Sequence, residues 1–295
     1  MQLTLLPAAL ALGWFLGASA LPTSEQAAAP DVKEAQQATT PDVKNAQQAA
    51  VPDVKEARQA PRIFLCGDST MARNTGGVID GWGNYLAKYV TATVENKALG
   101  GRSARSFTNE KRFQDVANQV RAGDVVVMEF GHNDGGSPRS NDNGRSACPG
   151  TGTETCKSDK TGETVYTFNY YIIQAAKLML SKGANVVLSS QTPRNQWEGG
   201  KYNGEPSRFV DYMITAHRAL ADSRVTFVNH NQAVSNMYRK MGSGPVNALY
   251  PQDRTHTGPK GADLSAQAFV QAVYQKLNGE TSLLRFVKTP VNIVY

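Results

Sequence analysis

Three polar side chains, one near residue 70 and two near residue 255, have the types needed for nucleophilic catalysis. Ser69 follows an apolar run, residues 63–66, after Gly67 and Asp68, and Asp253 precedes His256 by three positions. An acid at this spacing can accept a hydrogen bond from the imidazole Nδ1–H, which leaves Nε2 free to take a proton from a serine. Taken alone, a Gly-Asp-Ser segment equally fits a helix cap, and Asp-x-x-His fits a structural pair or half of a metal site.

Two further segments offer hydrogen-bond donors for an oxyanion. Gly100 and Gly101 remove the Cβ atoms from a loop, so that its N–H groups can approach a ligand closely. The segment GHNDGG, from residue 131, presents the side-chain amide of Asn133. Together with the N–H of Ser69, the N–H of Gly101 and this amide would complete an oxyanion hole. The neighbouring His132 lacks an obvious orienting partner, and we interpret it as structural, like His217 and His230.

The spacing of histidines and acidic residues argues against a metal centre. Beyond Asp253 and His256, no second cluster of His or carboxylate side chains supplies the remaining ligands at metal-binding spacing. We therefore expect no metal.

The elements that must position these residues follow from the hydrophobic pattern. Strand-like runs rich in Val, Ile and Phe occur at 62–66, 93–99, 124–130, 184–190 and 225–229, and helix-period segments occur at 81–89, 112–121, 170–180, 209–220 and 266–277. Apolar strands that alternate with amphipathic helices indicate an α/β domain in three layers, with a parallel sheet covered on both faces. Ligands bind outside the carboxyl ends of such strands. Ser69 is expected there, at a strand-to-helix turn.

In this order the motifs match a known family. GDST, GGRS, GHND and DRTH resemble the four signature blocks of the SGNH or GDSL hydrolases, which fall here on Ser69, Gly101, Asn133 and His256. Longer strings, among them LCGDSTMARN, VVMEFGHNDGG and THTGPKGA, look more specifically like the rhamnogalacturonan acetylesterases of filamentous fungi. The similarity covers most of residues 61 to about 278.

The resemblance implies a flavodoxin-like α/β/α sandwich with a five-stranded parallel sheet. It also implies a secreted serine esterase without metal or organic cofactor, which removes acetyl groups from the rhamnogalacturonan backbone of pectin. Xylan or homogalacturonan are alternative acetylated substrates. A non-catalytic carbohydrate-binding protein of the cell wall is a further alternative, but such a protein has no chemical reason to keep Ser69, Asp253 and His256 together.

Four side chains in loops beside the predicted site could recognise an acidic polysaccharide. Arg102 and Arg105 flank the glycine loop, and Arg194 and Trp197 follow the fourth predicted strand. Guanidinium groups pair with galacturonate carboxylates, and an indole stacks on sugar rings. For each one singly, a helix cap or a solvated loop charge explains the residue equally well.

The N-terminal sixty residues differ from the rest in composition. Residues 1–20 are apolar and end in Ala-Ser-Ala, which is typical of a secretory signal peptide, although a buried N-terminal helix is an alternative. Residues 21–60 are poor in large apolar side chains and contain three repeats of eleven residues that begin with Pro-Asp-Val-Lys. We interpret them as a low-complexity spacer or, alternatively, a partner-binding arm, and residues 61–295 as the catalytic domain.

The cysteines and the net charge indicate which thiols could pair and which classes of binding partner are expected. In an oxidising compartment, Cys148 and Cys156 are close enough to form a disulfide, whereas Cys66 lies in an apolar strand and is expected to be an inert thiol. The formal net charge is +6, but the basic residues are scattered rather than clustered with aromatic ones. We therefore expect a soluble, extracellular monomer that binds neither nucleic acid nor membrane.

Overall fold

A parallel five-stranded sheet lies at the centre of the protein. The structure, a computed structural model, describes residues 59–74 and 76–295. The strands are β1 (Arg62–Gly67), β2 (Thr93–Asn96), β3 (Val125–Phe130), β6 (Asn185–Ser190) and β7 (Val225–Val228), in the order β2-β1-β3-β6-β7. This order is the flavodoxin-like one, so the predicted fold class is confirmed. The predicted signal peptide and the eleven-residue repeats lie outside the described residues.

The inner strands β1 and β3 are buried along almost their whole length because both faces of the sheet are covered, whereas the edge strand β2 is partly exposed. On β1, Ile63 and Leu65 point to one face, while Phe64 and Cys66 point to the other, and all four are buried. A branched or aromatic side chain at every position therefore finds a packed layer on either side. In the part of the chain that the structure describes, no helix is long and apolar enough to cross a membrane.

Seven α-helices of the described residues form the two outer layers. They are α1 (Ala104–Asn109), α2 (Arg112–Ala117), α3 (Phe168–Ser181), α4 (Arg208–Leu220), α5 (His230–Met241), α6 (Ser243–Asn247) and α7 (Pro259–Tyr274). Residues of α1 to α4 pack with Phe64 and Cys66, and residues of α5 to α7 pack with Ile63 and Leu65. α7 begins with Pro259 in its first turn, seven residues before the helix-period segment predicted at 266–277.

The helix predicted at residues 81–89 is wrong. Two short 3₁₀ turns, Trp82–Asn84 and Leu86–Lys88, replace it. A Cβ atom at Gly81 would overlap the backbone of Met71 and Ala72, so this segment is held against the chain that follows β1. Two hydrogen bonds fix the contact, from Trp82 N to Thr70 O (2.9 Å) and from Gly83 N to Met71 O (3.2 Å).

The segment between β3 and α3 is long but tightly held. It contains an antiparallel hairpin of β4 (Thr155–Lys157) and β5 (Thr164–Tyr166), and Cys148 forms a disulfide with Cys156. Beside the hairpin, the buried Arg105 side chain donates to both carboxylate oxygens of Asp142 at 2.8 Å and also pairs with Glu163. This loop is therefore fixed by a covalent bond, by the buried ion pair of Arg105 with Asp142 and by the partly exposed Glu163.

Candidate active site

Ser69, His256 and Asp253 form a continuous hydrogen-bonded chain. Ser69 Oγ lies 2.8 Å from His256 Nε2, and His256 Nδ1 lies 2.7 Å from Asp253 Oδ2. Since a carboxylate only accepts hydrogen bonds, Nδ1 carries the proton, and the lone pair of Nε2 faces the serine hydroxyl. The two segments are 187 residues apart in sequence, and the fold brings them together with the geometry of a nucleophile and its base.

Asp253 also holds its own loop in shape. Its Oδ1 accepts from the backbone N–H groups of Thr255 (2.6 Å) and His256 (2.8 Å). Partial burial opposes ionisation, but the hydrogen bonds from His256 and Thr255 outweigh it and lower the pKa of Asp253. The carboxylate therefore stays charged and can stabilise an imidazolium.

Neighbouring segments anchor the loop that carries Asp253 and His256. Asp80 N donates to Thr257 O at 2.9 Å, and Asn195 N donates to Arg254 O at 2.7 Å. These contacts tie the loop to the chain after β1 on one side and to the chain after β6 on the other. The imidazole is thereby positioned by three parts of the fold.

Ser69 lies in a single turn at the carboxyl end of β1, and no regular helix follows it. The N–H groups of Met71 and Ala72 donate to Asp68 O, at 3.2 and 2.9 Å, and close the turn. The buried Asp68 side chain accepts from Thr70 N (2.9 Å) and Thr70 Oγ1 (2.8 Å). The expected strand-to-helix turn is therefore a strand-to-turn junction, and Asp68 and Thr70 make the capping contacts while Ser69 faces His256.

The glycine loop lies beside the serine. Leu99 N donates to Gly67 O at 3.0 Å, so the chain after β2 stays alongside β1 up to Gly100. A Cβ atom at Gly100 would lie 3.7 Å from Ser69 Cβ. Gly101 has φ +76°, a backbone conformation that a side chain would strain. Glycine therefore allows this loop to turn sharply next to the nucleophile.

Asn133 follows β3 and has one amide N–H left for a ligand. Its Nδ2 donates to Arg102 O at 3.1 Å, and its Oδ1 accepts from Arg145 Nη1 at 3.1 Å. Since an amide nitrogen carries two hydrogens, the second remains available. Arg145 Nη1 also lies 3.5 Å from Gly101 O, which joins the glycine loop to Asn133.

Two buried carboxyl groups, Asp68 and Asp134, and the partly buried His132 lie next to the residues of this cluster in the chain. Desolvation lowers the pKa of His132, whose Nε2 lies 3.0 Å from Thr192 O, so the ring is neutral. Burial raises the pKa of Asp68, and it raises that of Asp134 well above its usual range. Asp134 Oδ1 accepts from Ala104 N at 2.8 Å and thereby fixes the start of α1 against the loop after β3.

The four predicted substrate contacts take up different positions. Arg194 is exposed and lines a cavity of about 400 Å³, together with His132, Gln191 and Arg254. Arg102 is partly exposed and donates to Glu110 and to Gly100 O.

One of these predictions, that for Arg105, is corrected by the structure. Arg105 is only 1% exposed, and Asp142 and Glu163 bind its guanidinium, so it cannot reach a substrate. The Trp197 indole is partly buried, and its Nε1 donates to Tyr238 O at 2.8 Å. Both side chains stabilise the loops around the site.

Arg145 and Arg254 are site-lining residues that the sequence does not reveal. Arg145 lies in a polar loop without periodicity, and its contact with Asn133 exists only after the loop has folded. Arg254 lies between Asp253 and His256 in the sequence. This position is the only feature of the sequence that indicates a place for Arg254 at the site. Among residues 59–74 and 76–295, no group of three or more His, Cys, Asp or Glu side chains could hold a metal ion.

Comparison with known proteins assigns the family. The family model described as GDSL-like Lipase/Acylhydrolase matches residues 63–269, and the chain belongs to this family. The match extends from β1 into α7 and includes Ser69, Gly101, Asn133, Asp253 and His256. The protein is therefore a carboxylic ester hydrolase.

Individual relatives agree with this assignment. A rhamnogalacturonan acetylesterase of Emericella nidulans is 51% identical over 217 residues, which cover 72% of this chain and 85% of the relative. A probable rhamnogalacturonan acetylesterase of Bacillus subtilis, YesY, is 24% identical and aligns over 72% of this chain and 93% of its own.

A solved structure shows the same fold. The crystal structure of the Bacillus subtilis protein YxiM superposes with a TM-score of 0.60 at 21% identity, over 74% of this chain. The chain spans 57% of the length of that protein.

Proposed function

We propose that this protein removes acetyl groups from the rhamnogalacturonan backbone of pectin by acyl transfer through Ser69. The hydrogen-bonded chain from Ser69 through His256 to Asp253 carries the proposal for the reaction. The 51% identity to the Emericella nidulans enzyme supports the substrate.

In the first half of the reaction, Ser69 Oγ attacks the acetyl carbonyl carbon while His256 Nε2 takes the hydroxyl proton. The carbonyl oxygen becomes an oxyanion, which the N–H groups of Ser69 and Gly101 and the free N–H of Asn133 stabilise. The bond from the carbonyl carbon to the sugar oxygen then breaks, and His256 returns the proton to that oxygen. Asp253 stabilises the imidazolium throughout.

The second half releases acetate. Water attacks the acetyl group on Ser69, His256 Nε2 takes a proton from the water, and the oxyanion forms again in the same hole. Its collapse breaks the bond to Ser69 Oγ, which regains the proton from His256. The enzyme returns to its starting state, and this mechanism needs no metal or organic cofactor.

Substrate recognition involves the cavity beside the site. His132 precedes Asn133 and Arg254 follows Asp253, and both line the cavity together with Arg194. The exposed Arg194 guanidinium would pair with a galacturonate carboxylate of the polymer, and Arg102 offers a second positive charge beside the glycine loop. An Arg194→Met variant should raise KM for the polymer with little change in kcat.

We also propose that the protein is secreted and acts as a monomer. Residues 1–20 would be removed as a signal peptide. Residues 21–60 would form a low-complexity spacer that precedes the catalytic domain, residues 61–295. N-terminal sequencing of protein from the culture medium should begin at Leu21, and its mass in solution should be that of one chain.

The test is acetate release by the mature protein from acetylated rhamnogalacturonan, homogalacturonan and xylan. We expect faster release from rhamnogalacturonan than from the other two, and none above background for Ser69→Ala. Ser140→Ala, which changes an exposed serine in a turn, is the matched control and should keep wild-type turnover.

Each other outcome selects a different conclusion. Faster release from xylan or homogalacturonan would keep the mechanism and replace the substrate. Wild-type turnover by Ser69→Ala would refute the assignment of the nucleophile. Binding to pectin without acetate release from any polymer would favour a non-catalytic carbohydrate-binding protein.

A further inference from the structure

Arg145 contacts the two loops that supply the proposed oxyanion donors beyond Ser69. Its Nη1 donates to Asn133 Oδ1 at 3.1 Å and lies 3.5 Å from Gly101 O. A Cβ atom at Gly101 would lie 3.9 Å from the same nitrogen. One guanidinium therefore lies against both the glycine loop and the amide.

These contacts determine which way the Asn133 amide faces. In the observed orientation, Oδ1 meets a donor on Arg145 and Nδ2 meets an acceptor, Arg102 O. After a flip of the amide, the NH₂ group would face the guanidinium N–H and the oxygen would face a carbonyl. Both contacts would be unfavourable, so the amide is held in the observed orientation, with one N–H not used by Arg102 O.

The charge of Arg145 acts in the same direction. Among the described residues, no salt bridge joins its guanidinium to an Asp or Glu side chain. Its positive charge is therefore not neutralised by a salt bridge, and it polarises the amide that it contacts. A more strongly polarised N–H stabilises a developing oxyanion better.

The loop of Arg145 is fixed on both sides of this residue. Asp142 is bound by the buried Arg105, and Ser146 O accepts from Arg105 Nη1 at 2.9 Å. Ser146 Oγ donates to Gly135 O at 3.0 Å. Arg105 thus holds the loop that presents Arg145. Because this loop is already fixed, little conformational entropy is lost when the guanidinium is positioned against Asn133.

We propose that Arg145 is a positioning residue of the oxyanion hole, which orients and polarises Asn133 without touching the reacting atoms. This inference rests on the proposed acyl transfer. It predicts that Arg145 contributes to kcat mainly through Asn133, which it contacts at 3.1 Å, and that a charged donor at position 145 is required.

The test is a double-mutant cycle of Arg145→Met and Asn133→Ala, with kcat and KM measured on acetylated rhamnogalacturonan. Removal of one oxyanion donor costs about 10²- to 10³-fold in kcat, and we expect about a tenfold loss for Arg145→Met, with KM changed less than about twofold. In the Asn133→Ala background, Arg145→Met should cost less than about threefold. Arg145→Lys, which keeps the charge and a donor, should recover part of the loss.

Controls separate this role from folding and from substrate binding. Arg139→Met removes an exposed arginine of the same loop and should keep wild-type kcat. All variants are compared by thermal unfolding, and kcat is expressed per folded protein. Losses that multiply in the double variant would overturn the proposal, as would an effect on KM alone or wild-type kcat in Asn133→Ala.

The cycle also distinguishes this inference from the proposed function. An active Ser69→Ala variant would refute the acyl transfer itself. An inactive Ser69→Ala variant, combined with multiplying losses for Arg145 and Asn133, would refute only the positioning role.

Discussion

Replacement of Asp253 by asparagine should disable the base while it leaves the loop intact. Asparagine keeps the shape of the side chain, and its oxygen can still accept from the N–H groups of Thr255 and His256. Its NH₂ group then faces His256 Nδ1, which in the native protein lies 2.7 Å from a carboxylate oxygen. Two donors cannot pair, so the proton must move to Nε2, and Nε2 can no longer accept the proton of Ser69.

The other orientation of the amide is also costly. If the oxygen faces Nδ1, the NH₂ group faces the two backbone N–H groups, and both of their hydrogen bonds are lost. At about 1 kcal/mol for each bond, this orientation is disfavoured, and the loop is loosened. Neither arrangement therefore preserves both the tautomer and the loop.

The expected magnitude follows from this geometry. In a serine protease with the same arrangement, the wrong tautomer lowers kcat by about 10⁴. The Asp253 side chain is 46% exposed, so water can take over part of its contact with the imidazole. We therefore expect a loss of about 10³ in kcat, or about 4 kcal/mol at 1.36 kcal/mol for each factor of ten, with KM nearly unchanged.

The assay is steady-state acetate release from acetylated rhamnogalacturonan at several substrate concentrations. Asp211→Asn, an exposed aspartate in the first turn of α4, is the matched control and should behave like the wild type. A loss in kcat smaller than about threefold for Asp253→Asn, with the fold intact by circular dichroism, would refute the reasoning about the tautomer.

Three further predictions concern the scaffold. Arg105→Met should lower the free energy of unfolding in urea by about 3–5 kcal/mol, because it leaves Asp142 buried without a partner. Hydrogen bonds from Arg105 hold the pKa of Asp142 well below its usual range. The native pair therefore stabilises the protein fully above about pH 4, and this contribution is lost as the pH falls. In the variant, the free energy of unfolding should depend less on pH in the acid range. Cys66 is fully buried, and burial raises the pKa of its thiol to about 12, so a thiol reagent at pH 8 should label it only after unfolding, and labelling of the native protein would contradict its burial. Gly131→Ala should cost about 1–3 kcal/mol in thermal unfolding, because its Cβ would overlap Gln191 Oε1 and its φ is +146°; an unchanged midpoint would show that Gln191 moves freely.

The local hydrophobic pattern of the sequence was sufficient to predict the layers of this fold. Each of the five predicted strands of the central sheet is present to within three residues, and the agreement is best for the inner strands, where runs of branched apolar side chains are covered on both faces. The pairing of Asp253 with His256 was also predictable, since the two residues are three positions apart and one loop brings them together. The two 3₁₀ turns that replace the helix expected at 81–89 could not be predicted. They depend on the packing of Gly81 against the chain after β1, and no nearby residue pattern indicates that contact.

Among the arginines, sequence was a poor guide to position. Arg105 and Arg145 are both in polar surroundings in the sequence, yet the first is buried between carboxylates 37 and 58 residues away, and the second contacts Asn133. Arginine is mostly exposed in proteins, so burial of one depends on distant acids that only the fold assembles. The same applies to Trp197, whose indole packs inward.

The amino-acid sequence by itself determined the alternation of strands and helices, the types of the reactive side chains and the local geometry of the Asp253–His256 loop. All of these depend on residues that are close together in the chain. Only the tertiary structure decided that Ser69 meets His256, that the glycine loop lies beside it, and that Asn133 is held by Arg145. These contacts join segments from different strands, and their geometry is set by the order and packing of the sheet.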